Sequence, residues 1–247
     1  MLIKALCDYA DKQTASPNAE VIPEGFAKQV VHFRIILSKD GELKEIIPVA
    51  PSENNKNVAK EIILPVRTQK SGIDSNFIEH RPLYIFGLNF DKEAFSPDDK
   101  TDKARKSHIA FVEHELEFFN DLDSPVCIAY RKFIEKWVPE NETENAVLKA
   151  LGKDYKNSYF GFSLGAGCDE LEADEQFIKK YQKYCAEKSK EKKDEITAVC
   201  GILGENSSVA RLHDKIKFPG GLSSGCQMVC MKDTAFESYG KTQSFNS

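Results

Sequence analysis

The loop at residues 67–76, which we call the first basic loop, reads RTQKSGIDSN and combines side chains suited to contacts with nucleic acid. Cations can neutralise phosphates, amides can pair a donor and an acceptor with a base edge, and a glycine lets the backbone approach a ligand closely. The predicted contact residues are Arg67, Gln69, Lys70, Ser71, Gly72 and Asn76. The alternative is a surface loop that only shapes the fold.

A second basic loop covers residues 211–225 and ends in the glycine-rich string GGLSSG. Together with one lysine beyond it, this loop supplies a weaker set of predicted contacts: Arg211, Lys215, Lys217, Ser223, Ser224 and Lys241. Residues 179–193 form a third basic stretch with seven lysines. Such a stretch can lie along a phosphate backbone, but more often it is the solvated side of a helix.

The pattern Gly-x-Ser-x-Gly of hydrolase nucleophiles occurs around Ser163 and around Ser223. It builds an active site only where a strand leads into the serine and a helix follows at once, because that strained turn exposes the hydroxyl. The match at Ser223 precedes a predicted strand and fails this condition. The match at Ser163 follows a predicted strand, and Asp194 and His213 come later in the order of a catalytic triad. A serine hydrolase using Ser163 and His213 is therefore the alternative enzyme, and a glycine-rich loop is the simpler explanation.

Metal-binding patterns are weak in this sequence. His108 and His114 are six residues apart, which places them on different faces of a helix, whereas zinc-binding helices space two histidines four apart. Cys226 and Cys230 share a face of a predicted strand, but no second pair of ligands stands at a matching spacing. We predict buried apolar thiols there, and we predict no metal and no cofactor.

The composition is that of a globular protein without a strong overall charge. The chain has 247 residues, 41% of them hydrophobic, and a net charge of -5, so bulk charge does not attract nucleic acid or membrane. Two aspartates interrupt the N-terminal segment MLIKALCDYAD, so we expect no secretory signal. The seven cysteines are an odd number and fit reduced thiols. We expect a cytoplasmic protein.

Hydrophobic periodicity groups the predicted elements into blocks. Strands are predicted at residues 30–37, 43–49, 61–66, 83–90, 158–163, 195–203 and 226–231. Helices are predicted at residues 2–11, 102–119, 125–137, 142–151 and 173–190. Asp40-Gly41 closes a hairpin between the first two strands, and alternation places Arg34 on the polar side. Because strands and helices do not alternate, we predict an α+β fold with an N-terminal antiparallel or mixed sheet, a block of helices and a second group of strands.

Several strings in the chain recur, in the same order, in one known family. They are MLIKALCDYAD, LPVRTQKSGIDSNF, YIFGLNFD, KARKSHIAFVEHELEFF, VCGILGENSSVARLHDKIK, SSGCQMVCMK and TAFESYGKTQSFN. The segments ARLHDKIK and AFESYGK are the most specific, since no general requirement of folding produces them. On these strings the chain resembles the N-terminal region of the large subunit of type I-C Cascade, the CRISPR surveillance complex. Family members tend to carry Lys-Pro where this chain has Asp74-Ser75.

The resemblance implies a subunit that is not an enzyme and that recognises DNA. Such a subunit reads the short protospacer-adjacent motif (PAM) on double-stranded DNA and assists duplex opening and R-loop formation. It also contacts the 5′ handle of the guide RNA together with other Cascade subunits and helps to recruit a separate helicase-nuclease. In a related division of labour, protein side chains read only the PAM and base pairing reads the rest. The first basic loop is then expected to meet the PAM, and the second is expected to contact guide, duplex or partner subunits.

The resemblance also implies that residues 1–247 are the N-terminal domain of a longer subunit that continues into a helical region. Within this domain we expect a sheet-rich part at residues 1–100 and a mainly helical part at residues 101–195. A strand-loop segment at residues 196–247 is expected to return to the sheet. A scaffold that contacts only protein is the remaining interpretation.

Overall fold

A computed structural model describes most of the chain between residues 22 and 191 and shorter pieces outside it. The described residues are 4–5, 8–9, 12, 22–23, 25–51, 57–67, 72–97, 102–165, 167–191, 197–199, 204, 206–208, 215–216, 220–222 and 225–227. They belong to two compact units, one of residues 22–186 and one of residues 1–21 with 187–247. The three sub-regions expected from the sequence remain predictions.

The larger unit mixes sheets and helices, which confirms the predicted α+β class. Its strands are β1 (Phe26–Val31), β2 (Phe33–Leu37), β3 (Leu43–Pro48), β4 (Lys60–Pro65), β5 (Asn89–Asp91), β6 (Ala94–Ser96), β7 (Phe160–Gly165) and β8 (Cys168–Glu170). Its helices are α1 (Pro82–Phe86), α2 (Lys103–Phe119), α3 (Pro125–Lys136), α4 (Ala146–Leu151), α5 (Asp154–Asn157) and α6 (Glu175–Glu191), the last of which continues past the unit. Among the described helices, none has the length and apolar character that crossing a membrane requires.

A four-stranded mixed sheet with the order β3-β2-β7-β8 contains the most buried strand of the unit. Strand β2 pairs antiparallel with β3 and parallel with β7, where Phe33 lies opposite Phe160. The predicted hairpin between β2 and β3 is confirmed. The predicted strand at residues 30–37 is wrong in extent, because it is interrupted at His32. The residues before His32 belong to β1, which pairs with β4 in a separate two-stranded sheet.

The burial of Arg34 departs from the alternation in the sequence, which places this residue on a polar face. Its guanidinium donates to the carboxylate of Glu172 at 2.8 Å and pairs with Glu170 at 3.1 Å. A side chain at Gly161, on the neighbouring strand β7, would lie only 2.5 Å from Nη1 of Arg34. The glycine therefore leaves the space that Arg34 occupies, and the two carboxylates supply the negative charge that a buried guanidinium requires.

Helix α1 occupies residues for which the sequence predicts a strand. The helix is five residues long, and its residues Tyr84, Ile85 and Phe86 are all buried, so no polar face distinguishes it from a buried strand. Pro82 stands in the first turn and Gly87 ends the helix with a left-handed φ of 65°. The prediction of a strand over residues 83–90 is wrong except at β5.

Side chains from other elements satisfy the carbonyl groups around the C-terminal end of α1. Nε1 of Trp137 donates to Phe86 at 3.0 Å, the hydroxyl of Tyr155 donates to Leu88 at 2.7 Å, and Nδ1 of His108 donates to Tyr84 at 2.9 Å. A buried carbonyl without a donor costs free energy, so these bonds stabilise the short helix in the core. Burial raises the pKa of Tyr155, which keeps its phenol protonated as a donor.

The two predicted helices at residues 102–119 and 125–137 are confirmed. Pro125 is the first residue of α3, where its missing amide proton costs nothing, and the side chain of Ser124 caps the helix. Helix α4 begins at Ala146, four residues later than predicted, because Asn145 caps it by accepting from two backbone amides.

The smaller unit holds the predicted second group of strands. They are β9 (Thr197–Val199), β10 (Asn206–Ser208), β11 (Lys215–Ile216) and β12 (Cys226–Gln227). Strand β9 pairs with β10, and β11 pairs with β12, both antiparallel. Residues 4–5 and 8–9 are helical, as predicted for residues 2–11, and residue 12 is helical too. The expected return of residues 196–247 to the sheet remains a prediction.

Removing the hydroxyl of Tyr155 tests the support of α1. We expect Tyr155→Phe to lower the free energy of unfolding by about 1–3 kcal/mol in urea denaturation, because the buried carbonyl of Leu88 loses its donor. Tyr159→Phe is the matched control, since that ring is 38% exposed, and we expect a change within about 0.5 kcal/mol. Equal effects of the two substitutions would contradict this account.

Candidate nucleic-acid interface

A buried carboxylate holds the base of the first basic loop. Glu79 is 0% exposed and lies 3.0 Å from Nη1 of Arg67 and 2.6 Å from Nη2 of Arg81. The backbone amides of Asn76, His80 and Arg81 donate to the same carboxylate at 3.3, 2.9 and 3.0 Å. We call Arg67, Glu79 and Arg81 the Glu79 cluster. Through Glu79 the cluster joins Arg67, the first residue of the loop, to the backbone amide of Asn76, the last.

The charges of the cluster keep Glu79 ionised in the interior. Burial by itself would raise the pKa of Glu79, but the hydrogen bond from Arg81 and the charges of both arginines outweigh burial and lower this pKa to about 2. The neighbouring His80 is neutral, because burial and the charge of Arg67 lower its pKa to about 3. The loop therefore ends on a fixed ion cluster.

The two arginines of the cluster differ in exposure. The side chain of Arg67 is 14% exposed, and its Nη2 donates to the carbonyl of Ile78 at 3.1 Å in addition to the contact with Glu79. Burial lowers the pKa of Arg67, and the charge of Glu79 opposes this shift. The side chain of Arg81 is 36% exposed and lies over the ring of Tyr84 at 3.7 Å. The guanidinium of Arg67 thus makes its contacts inside the protein, whereas that of Arg81 is partly exposed at the surface.

A second buried carboxylate, Glu115, supports the same segment from α2. It is 0% exposed and accepts from the hydroxyl of Tyr130 at 2.9 Å and from the backbone amide of Ile78 at 3.3 Å. Burial raises the pKa of Glu115, against the opposing effect of His114. The two buried carboxylates therefore behave differently, since only Glu79 has arginine partners.

Aromatic rings anchor the residue that follows the loop. The ring of Phe77 lies 4.5 Å from His114, 4.6 Å from Phe118, 5.0 Å from Tyr184 and 5.1 Å from Tyr181, measured between ring centroids. The partners belong to α2 and α6. The pairs with Phe118, Tyr181 and Tyr184 are edge-to-face, an arrangement that stabilises packing beyond the area buried. The C-terminal end of the loop is therefore fixed to two helices.

Only part of the predicted contact set falls on described residues. Gly72 is exposed with a φ of 102°, and no heavy atom of the described residues lies within 4 Å of the position that a Cβ would take. Asn76 is half-buried, and the backbone of Lys215 lies in β11. The following predicted contacts lie outside the described residues: Gln69, Lys70, Ser71, Arg211, Lys217, Ser223, Ser224 and Lys241.

The structure contradicts the local geometry that a hydrolase would need at Ser163. This serine is 1% exposed and lies inside β7, and its hydroxyl donates to the carbonyl of Gly165 at 2.8 Å. The strand continues into the antiparallel strand β8, so no helix follows the serine. His213 and Asp194 lie outside the described residues.

The structure also describes part of the lysine-rich stretch and some of the possible metal ligands. Lysines of α6 lie beside an apolar face on which Phe177 and Tyr181 are buried. Lys179 pairs with Glu175, and Lys180 contacts Asp121, so these two lysines are partnered on the helix surface.

Within the described part of the chain, no three histidine, cysteine or acidic residues group as metal ligands, and Cys230 lies outside that part.

Neutral substitutions at the two buried carboxylates should have unequal effects. We expect Glu79→Gln to lower the free energy of unfolding by about 3–5 kcal/mol, because it leaves two arginines without their counter-ion. Glu115→Gln is the matched control and should cost less than about 1.5 kcal/mol, because glutamine can still accept from Tyr130. Urea denaturation measures both. A larger loss for Glu115→Gln would contradict the assignment of Glu79 as the counter-ion.

Acid should destabilise the larger unit in two ranges of pH. The pKa is lowered from 6.5 to about 3 at His80, from 6.5 at His108, and from 4.5 to about 2 at Glu79. Each of these groups binds its proton more tightly in the unfolded chain, so its contribution to the free energy of unfolding falls as the pH falls, whereas Glu115, whose pKa is raised by burial, contributes in the opposite direction. The histidine contribution is complete above 6.5 and is lost below it, and the Glu79 contribution is lost between 4.5 and about 2.

Urea midpoints measured from about pH 8 down to about pH 4 test the histidine part of this dependence. The variant His80→Phe keeps a ring against Tyr159, which stacks on His80 at 4.1 Å, but removes the titrating group. We expect a shallower decline of stability below 6.5 in this variant. An unchanged decline would show that His80 does not contribute.

Comparison with known proteins agrees with the resemblance noted in the sequence. The family model described as CRISPR-associated protein (Cas_Csd1) matches residues 6–247, a range that includes both basic loops and all but the first five residues of the two compact units. No curated protein matches the chain. Because the family model covers nearly the whole sequence, the chain belongs to the Cas_Csd1 family of CRISPR-associated proteins.

Proposed function

We propose that this protein is the non-catalytic large subunit of a type I-C Cascade and that its first basic loop reads the PAM on double-stranded DNA. The single observation that carries the proposal is the Glu79 cluster. A loop that discriminates bases must present its side chains in one register, since contacts lose their specificity when the supporting residues are loose. The cluster supplies such a support at both ends of the loop.

The side chains between the two anchored ends have distinct roles in this proposal. Lys70 neutralises a backbone phosphate, and Gln69 and Asn76 offer amide groups to base edges in a groove. Gly72 is exposed and has open space around it, so the backbone can approach the duplex there. This set of contacts positions the protein on the duplex and reads a short sequence.

Membership in a CRISPR-associated family supports the wider role. In that role the protein assists duplex opening and R-loop formation, contacts the 5′ handle of the guide RNA and works with other Cascade subunits and a helicase-nuclease. The second basic loop is proposed to contact the guide, the duplex or the neighbouring subunits. The burial of Ser163 within a strand gives the hydrolase interpretation no support.

Binding to duplexes that differ only in the PAM tests the function of the first basic loop. The complex, assembled with the full-length protein, is titrated at fixed salt against a matched target carrying each PAM variant. We expect Gln69→Ala and Asn76→Ala to reduce discrimination among PAMs by about 1–3 kcal/mol for each lost base contact. Lys70→Ala should weaken binding to all variants alike, because a phosphate contact carries no sequence information.

The matched control for the lysine is Lys44→Ala, at a residue whose side chain is 56% exposed and pairs with Glu42. An exposed pair contributes little to stability, so this variant should bind like the wild type. Uniform weakening by all three loop substitutions would make the loop a phosphate clamp. Unchanged binding in all three would leave the scaffold interpretation for these residues.

A further inference from the structure

We infer that Arg81 is a phosphate-contact residue at the base of the first basic loop, where it binds the backbone of the target duplex. The inference rests on the proposed function and adds to it a residue that the sequence pattern did not single out. Arg81 follows the loop by five positions. Three observations support this role: the hydrogen bonds of its guanidinium, its exposure and the charge balance of the Glu79 cluster.

The guanidinium of Arg81 is fixed, yet part of it remains available. Its Nε donates to Oε1 of Glu79 at 2.9 Å, and its Nη2 donates to Oε2 of Glu79 at 2.6 Å and to the carbonyl of Asp74 at 3.2 Å. None of its hydrogen bonds to the residues that the structure describes uses Nη1. The ring of Tyr84 covers one face of the group and the Tyr84 side chain also interacts with Arg81, so the two N–H groups of Nη1 are the donors left for a ligand.

The charge balance of the cluster points to an anionic ligand. Two guanidinium groups share one carboxylate, so Arg67, Glu79 and Arg81 together carry one excess positive charge. Glu79 is 0% exposed and the side chain of Arg67 is 14% exposed, whereas that of Arg81 is 36% exposed. The excess charge therefore meets solvent at Arg81. The second buried carboxylate of this region, Glu115 on α2, acts on Arg67.

The ligand that fits this edge is a phosphate group of a nucleic-acid backbone. Nε and Nη2 of Arg81 already contact Glu79 and Asp74, so the phosphate accepts a charge-assisted hydrogen bond from Nη1. Glu79 and Tyr84 already hold the side chain of Arg81, so binding a phosphate costs little additional side-chain entropy. The carbonyl of Asp74 contacts the same guanidinium, which links Arg81 to the described C-terminal part of the first basic loop.

The salt dependence of duplex binding tests the inference in the assembled complex with the full-length protein. We expect Arg81→Gln to weaken binding several-fold for every PAM variant. It should also reduce the slope of log Kd against log salt by about 1, the change expected for one lost phosphate contact. Arg67 remains to neutralise Glu79 in this variant, so it should fold. Arg81→Met, which keeps an unbranched side chain against Tyr84, provides an independent second variant.

The matched control is Arg67→Gln, which removes the other arginine of the same cluster. We expect this variant to unfold at a lower urea concentration and to keep the wild-type salt slope once it is assembled. The inference is overturned if both Arg81 variants assemble and keep the wild-type slope, or if they alter retention of the guide RNA without altering the slope for DNA. The proposed function fails separately, if the substitutions at Gln69 and Asn76 leave PAM discrimination intact.

Discussion

A carboxylate that is removed from water requires hydrogen bonds and a nearby positive charge, and Glu79 imposes this requirement on the whole region around the first basic loop. Its donors are two arginines and three backbone amides, which come from the two ends of the loop and from the start of α1. Because one buried charge collects all of them, the positions of these backbone segments cannot vary independently. The two ends of the loop are therefore held by the buried core.

The central sheet uses the same physical device. Arg34 on β2 pairs with Glu172 across β7, and Gly161 leaves the space for the guanidinium. Apolar packing alone tolerates small shifts between neighbouring strands, whereas a buried ion pair with direct hydrogen bonds favours one arrangement. The fold thus places two arginine–carboxylate clusters where a strand or a loop must take a single register. Both are buried.

The sequence predicted the elements whose pattern is local and long enough to be read. Helices α2 and α3 and the hairpin of β2 and β3 follow from periodicity, proline placement and a turn at Asp40-Gly41. Helix α1 could not be predicted, because a helix buried on all sides has the same apolar composition as a buried strand. The burial of Arg34 depends on a carboxylate 138 residues away, which no local pattern contains.

At the candidate site, too, local features could be predicted from the sequence and tertiary contacts could not. A loop after the strand at residues 61–66 could be predicted from the sequence, but the helix α1 that follows it and the roles of the arginines around it could not. Arg67 lies in the predicted loop and is mostly buried, whereas Arg81 lies after the loop and is more exposed. The difference depends on which guanidinium the surrounding core covers, and that is a property of the tertiary packing.

The topology of the central sheet also constrains how the chain folds. Strand β2 can pair with β3 as soon as a few more residues have been synthesised, whereas its other edge can pair only once β7 has been made. Arg34 likewise contacts the carbonyl of Phe162, 128 residues further along the chain. Pairing across so long a separation is slow, because the intervening loop must be closed first. During synthesis, a strand whose five residues are all buried in the final fold has one unpaired apolar edge until the helices between have been made. The larger unit therefore has a period of exposure to aggregation built into its strand order.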